Sequence, residues 1–336
     1  MHRRGRGAAL MGTKLRGAFL VLSAACLLPF TAFAQEESRP LRKVTCSLAS
    51  MLDDVRGGLK SGSPAYRNYL LKQLKEAAFL MPASELRAAF ERERDPAMVE
   101  ALGAALASKA SREPDAKMIS PLLARATRDP DPAARAAAVR GLRGIGSVEM
   151  MAKTREATYA QLVRDASPEV REAVAGNLIH ENSQIYFGHD KDVSEMAIQA
   201  AEASQDPAIT ARLLKEVSME QVGPQAVRAL ERQLGASDPT VRAAAATALG
   251  GVPGPEVAGA RGRLVDLYRA ERDPAVRKAV LESIARLGFQ SSLPALESLR
   301  GVDPTLTPEI DAWTAALKKN LQEWSLLKRE KQRLRP

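Results

Sequence analysis

At 336 residues the chain is longer than one ordinary globular core, and its net charge of +9 invites a nucleic-acid reading. That charge is local: residues 1–34 carry five basic and no acidic residues, so 49 less 5 leaves 44 basic against 40 acidic, a net of +4. Residues 318–336 hold seven basic residues against two acidic, which leaves 35–317 near neutral and excludes a composition-level case for a phosphate track.

The first element is a targeting signal. Arg3, Arg4, Arg6, Lys14 and Arg16 precede an apolar run over 18–33 that ends Ala32-Phe33-Ala34. A charged head, an apolar segment and a small-residue site predict a secretory signal peptide over 1–34, cleaved before Gln35, and hence an exported protein, periplasmic or secreted. Met11 is an alternative start, since residues 11–16 already form a charged head. A permanent membrane helix competes, but the run is short for a bilayer and is followed by Gln35, Glu36 and Glu37. A lipoprotein signal at Cys26 is a third reading; Ser23 departs from the usual lipobox, and the apolar run continues past the cysteine. Cleavage leaves Cys46 alone, so no intramolecular disulfide can form. Cys46 reads as a small residue near the first helix, with a free thiol as the alternative.

Residues 35–81 read as a leader and capping helices. The polar stretch 35–44 contains Pro40, residues 47–55 predict a short helix ended near Gly57-Gly58, and Ser63-Pro64 caps a second helix. The stripe of that helix is Tyr66, Leu70, Leu71, Leu74, Ala78 and Phe79. Neither helix has the pattern that follows, as expected of a cap over the open end of a stack.

From residue 82 to 317 one pattern recurs. An acidic or hydroxyl residue followed by proline occurs at Asp95, Asp131, Ser167, Asp206, Asp238 and Asp273, with successive offsets of 36, 36, 39, 32 and 35. Each is a helix N-cap: the short side chain accepts a bond from an orphan amide, and the proline has no N–H to lose. Three residues on stands an apolar residue, Val241 in the copy 236–250, continued there by Ala244, Ala245, Ala248 and Leu249. Arg135, Arg171, Arg242 and Arg277 follow their caps by four residues, the spacing for an ion pair on one helix face. Thr307-Pro308 is a candidate seventh copy. A first helix precedes each cap, over 83–92, 116–128, 149–164, 193–204, 224–234 and 256–270, and no stretch alternates with period two. Two helices per unit with a period in the thirties predict an all-α solenoid of stacked hairpins.

The D-P-x-V-R-x-A-A-x-x-A-L pattern resembles HEAT repeats, closest to the short bacterial form found in phycobilisome-lyase-type proteins, over roughly residues 82–317. The resemblance implies a HEAT-like or armadillo-like superhelix. Such arrays usually serve as interaction scaffolds, and a minority carry an enzyme site on the same stack.

Little in the residues points to chemistry. The histidines after the signal are His180 and His189, and no metal motif or zinc knuckle is formed. HEAT-like iron hydroxylases use several His-Glu pairs, whereas His180-Glu181 is a single one, so His180 reads as a surface residue ending a helix. The segment 141–146 ends a helix and so cannot be a dinucleotide loop, which must open one. No catalytic, cofactor or metal residue is assigned. The longest interruption, 181–191, contains Tyr186 and Phe187, either a binding feature or aromatics folded back onto the stack.

What remains is surface. The resemblance places the second helices on the concave side, where the residue nine after each cap faces outward: Arg140, Gly176, Lys215, Thr247 and Glu282. This mixed row suits a protein or peptide partner and not nucleic acid. At the C-terminus Ile310, Trp313, Leu317, Leu321, Trp324 and Leu327 step by three or four, predicting one long helix with a basic end and tail over 318–336. It reads as a cap on the last repeat, with contact to an anionic membrane surface as the competing role. The sequence thus predicts an exported, non-catalytic HEAT-like scaffold; the alternative is a lyase-type or modifying enzyme on the same stack.

Overall fold

The computed structural model describes residues 48–60, 63–78, 80–112, 116–143, 152–183 and 191–334, and among them seventeen α-helices and no strand are found. The signal and leader, Phe79, the loop aromatics Tyr186 and Phe187, and His189 lie outside the described residues.

Helices α1 (Leu48–Leu59) and α2 (Pro64–Ala78) lead into six full hairpins. These are α3 (Ala83–Arg92) with α4 (Pro96–Arg112), α5 (Ala116–Arg128) with α6 (Pro132–Gly141), and α7 (Ala152–Leu162) with α8 (Pro168–Ser183). The second half continues with α9 (Lys191–Ala203) and α10 (Pro207–Glu216), α11 (Pro224–Gln233) and α12 (Pro239–Leu249), and α13 (Val257–Ala270) and α14 (Pro274–Arg286). A short α15 (Leu293–Glu297), α16 (Thr307–Leu317) and α17 (Trp324–Arg333) close the stack. The chain is an α-solenoid of stacked helical hairpins.

The caps do what their chemistry requires. Asp238 Oδ1 accepts the amides of Thr240 at 2.7 Å and Val241 at 3.3 Å. Asp95, Asp131, Asp206 and Asp273 accept equivalent amides at the start of α4, α6, α10 and α14. The stripe behind each cap is core: Val241, Ala244, Ala245, Ala248 and Leu249 are all buried. Burying each large aliphatic contributes roughly 2 kcal/mol, more than any single cap, so the stripe holds the hairpin and the cap fixes where it begins.

Apart from α8 and α10, successive second helices from α4 to α14 pack on one another far more closely than the first helices α3 through α13 do. Small residues permit this. A Cβ placed on Gly141 would stand 3.0 Å from the Cα of Gly103, and one on Gly250 2.9 Å from the Cα of Ser283. The layer with the shorter repeat spacing lies inside the curve, so the second helices form the inner face. The loosest step in that layer is α8 to α10.

Helix α1 ends at Leu59, next to Gly57-Gly58 as expected, and Gly58 is buried against Leu70, where any Cβ would collide. Three expectations change. The arginine four residues after each cap does not pair with that cap but with the next repeat, as described below. The seventh cap is Asp303, one turn earlier than Thr307: its Oδ1 accepts the amide and hydroxyl of Thr305, and a single 3-10 turn at Pro304–Leu306 leads into α16. Finally, the single long C-terminal helix is two. The chain breaks after Leu317, passes through Asn320 at φ 55°, and returns as α17. The turn stacks Trp324 on Trp313, ring centroids 5.3 Å apart and 7° from parallel. Lys331, expected in a solvated tail, is buried over the Trp313 ring and paired with Glu309.

Candidate functional site

The inner-face row falls on consecutive helices α6, α8, α10, α12 and α14. Lys215, Thr247 and Glu282 are exposed, and the Thr247 hydroxyl donates to the Ala243 carbonyl at 2.9 Å. Arg140 is half-buried and already engaged: its Nε donates to Glu100 Oε2 of α4 at 2.7 Å, and Nη1 lies 3.8 Å from Glu169 of α8. Arg212 of α10 reaches back to Glu172 of α8 in the same way. Charges on this face are therefore largely matched across repeats in the first half and left open to solvent at Lys215 and Glu282.

A second set of groups follows the turns between paired helices. Arg242 donates from Nη1 to the carbonyls of Ala236 and Ser237 in its own turn, at 2.8 and 2.9 Å. Its Nε and Nη2 hold Glu271 of the next turn at 2.6 and 3.1 Å. Arg135 does the same with Asp129, Pro130 and Asp165, and Arg171 with Asp165, Ala166 and Asp206. Arg277 pairs with Asp303 at 2.6 Å. Arg135, Arg171 and Arg242 thus fasten their own turns and clip them to the following repeat, and Arg277 makes the clip alone. The hydrogen bond from Arg242, with amides of its own turn, holds Glu271 at a pKa of about 2, well below the usual carboxylate value. Glu271 also accepts the amides of Arg272 and Asp273, so the residue two before the cap orders the turn. Glu93, Asp129 and Asp165 repeat that device. The signal was present as an acid or serine two residues before most caps, unreadable without knowing where the turn carbonyls point.

The third set is buried. Between α7, α8 and α9 the stack encloses Arg155, Tyr159, Asn177, Glu181, Asn182 and Ser194. Arg155 Nη1 lies 3.3 Å from Glu181 Oε2, with both side chains 5% exposed. The Tyr159 hydroxyl lies 3.5 Å from Glu181 and receives a bond from Asn177 Nδ2 at 3.1 Å. Burial, reinforced by the Glu181 charge, pushes the Tyr159 phenol up and keeps it neutral. Asn182 donates to the Ser194 hydroxyl and accepts the Ser218 amide, both at 3.0 Å, tying α8 to α9 and to the segment after α10. Towards the inner face Asn177 Oδ1 accepts Arg143 Nε at 2.8 Å. His180 is exposed near the end of α8; partial burial, then the positive fields of Arg143 and of Lys75 on α2, lower its pKa. Of this set the sequence reading singled out His180-Glu181 and read the histidine as surface, which it is. It missed Asn177, whose signal was an amide ten residues after the cap, where four of the five other copies have the small residues Ala105, Gly141, Ala248 and Ser283 and the fifth has Glu216.

The fold and these inner-face charges define a helical-repeat protein, a class described by architecture alone. Several solved structures align with most of the chain at low identity. The E. coli protein YibA aligns over 85% of this chain and 94% of its own, at 14% identity and a TM-score of 0.42. Human deoxyhypusine hydroxylase aligns over 81% and 97%, at 17% identity and 0.31. The CpcE–CpcF complex of phycocyanin lyase from Nostoc aligns over 84% of this chain and 94% of the matched one, at 16% identity and 0.26. No family model matches the sequence. No curated protein matches it either.

Proposed function

We propose that the chain is an exported, non-catalytic HEAT-like scaffold whose inner helix layer binds an extended protein or peptide partner. The observation that carries this reading is the run of solvent-facing Lys215, Thr247 and Glu282 on successive inner helices α10, α12 and α14. Close packing of α10 on α12 and of α12 on α14, with the Arg242–Glu271 clip at the second step, sets these polar groups along one surface, which suits a segment lying across several repeats. Export rests on the charged head and A-x-A site over 1–34, and mass spectrometry of native protein should find Gln35 at the N-terminus. The binding claim is tested by capture from an envelope fraction with wild type and with a Lys215→Glu/Glu282→Lys variant. A partner retained by wild type and lost by an equally stable variant supports it; equal retention overturns it.

A further inference from the structure

The arginines Arg135, Arg140, Arg171, Arg212, Arg242, Arg277 and Arg286 of α6 to α14 each lie within 4 Å of a carboxylate. Arg143, just past the end of α6, has no carboxylate partner among the described residues. It is nevertheless held. Its Nε donates to Asn177 Oδ1, and Asn177, fully buried, is fixed in turn by bonds from Nδ2 to the Val139 carbonyl and the Tyr159 hydroxyl. A buried amide with all three contacts satisfied is a rigid support for one guanidinium edge.

The surroundings leave the cation open. A Cβ on Gly176 would stand 3.4 Å from Arg143 Nη2, so a side chain longer than alanine there would crowd the guanidinium; glycine keeps the space clear. His180, one helical turn beyond Gly176, is exposed and feels Arg143 and Lys75 together. The Arg143 guanidinium, just past α6, meets Gly176 and Asn177 of α8 at one spot of the inner face. The nearby Arg140 is already paired with Glu100 and Glu169, whereas Arg143 has no carboxylate partner among the described residues. A planar guanidinium whose Nη groups have no partner among the described residues presents the fork that a carboxylate fits.

We propose that Arg143, positioned by Asn177, binds a carboxylate of an acidic peptide lying along the inner face. This rests on the scaffold reading and names the chemistry of its partner. The probe is hexaglutamate, titrated into the purified full chain and followed by the His180 ring resonance, identified by its loss in His180→Gln. Binding should raise the His180 pKa, and hexalysine should not bind. Arg143→Gln should weaken hexaglutamate about tenfold or more with an unchanged melting temperature. Lys75→Gln, at an exposed position on α2, should weaken it by about threefold and raise the His180 pKa of the free protein. An unchanged affinity in Arg143→Gln overturns the proposal; should that variant fail to fold, an unaltered affinity and His180 pKa in Lys75→Gln does so. Displacement of the peptide by equimolar inorganic phosphate would identify a free-anion site and overturn the peptide assignment. Failure of hexaglutamate while the Lys215 and Glu282 capture result stands removes this inference alone; loss of both removes the scaffold reading.

Discussion

Helices α12 and α8 each start at the proline of a matching pair, Asp238-Pro239 and Ser167-Pro168, yet ten residues after the first of the pair α12 buries Ala248 where α8 buries Asn177, and further along α8 buries Glu181 and Asn182. Around α12 the inner layer closes with alanine, leucine and a glycine that lets Ser283 approach. Around α8 the same volume is taken by an ion pair, two amides and a tyrosine. The apolar version needs only close packing, whereas every member of the polar version must find a partner or lose solvation without return. The stack carries that centre beneath Arg143, which has no carboxylate partner among the described residues. A polar centre of this kind adds little net stability over an apolar one, so its proposed role lies at the surface above it.

The largest effects should come from leaving a charge alone in either core. Val241→Asp in the apolar region and Glu181→Ala in the polar one should each cost about 3–5 kcal/mol in chemical denaturation, the latter because Arg155 is stranded. Replacing both partners, Arg155→Met with Glu181→Leu, should be near neutral or stabilising. A double variant as unstable as Glu181→Ala would show that the ion pair itself stabilises the fold and would remove the contrast.

Next in size are the clips between turns. Arg242→Ala removes bonds to Glu271 and to two carbonyls and should cost about 2 kcal/mol. The sign with pH follows from Glu271, whose folded pKa of about 2 lies below the ordinary 4.5. Its contribution is complete above about pH 4.5 and is lost as pH falls towards 2. Denaturation from pH 7 to 3 should therefore show an acid-dependent loss in wild type that is blunted in Arg242→Ala; parallel curves would mean that another carboxylate sets the slope. The smallest effect is the cap: Asp238→Ala should cost about 1 kcal/mol, below both Val241→Asp and Arg242→Ala.

The sequence was most legible where one residue type has one local job. Asp-Pro pairs marked the starts of α4, α6, α10, α12 and α14, and the boundaries expected for α3 and α5 agree with the structure to the residue. Legibility failed where a side chain acts on another repeat. Arg242 was read against Asp238, four residues away, but its partner Glu271 is twenty-nine residues on, a distance no helical period reports. The C-terminal stripe was read as continuous because Ile310, Trp313, Leu317, Leu321, Trp324 and Leu327 keep helical spacing; the break at Asn320 folds the same stripe back, so that Trp313 and Trp324 meet face to face. The residues of the expected row fall on the second helices, but their ion pairs were not legible in the sequence. Arg140 proved to be neutralised by Glu100, and the open cation, Arg143, stands three residues later in a turn.

Site-specific photo-crosslinking distinguishes the proposed inner binding surface from the outer one. A crosslinker at position 247, on the inner helix α12, and one at position 263, on the outer helix α13, report opposite faces. In envelope extracts the probe at 247 should capture a partner in a band suppressed by excess unlabelled protein, while the probe at 263 should not. Capture of that partner from 263 and not from 247 would contradict the inner-surface assignment.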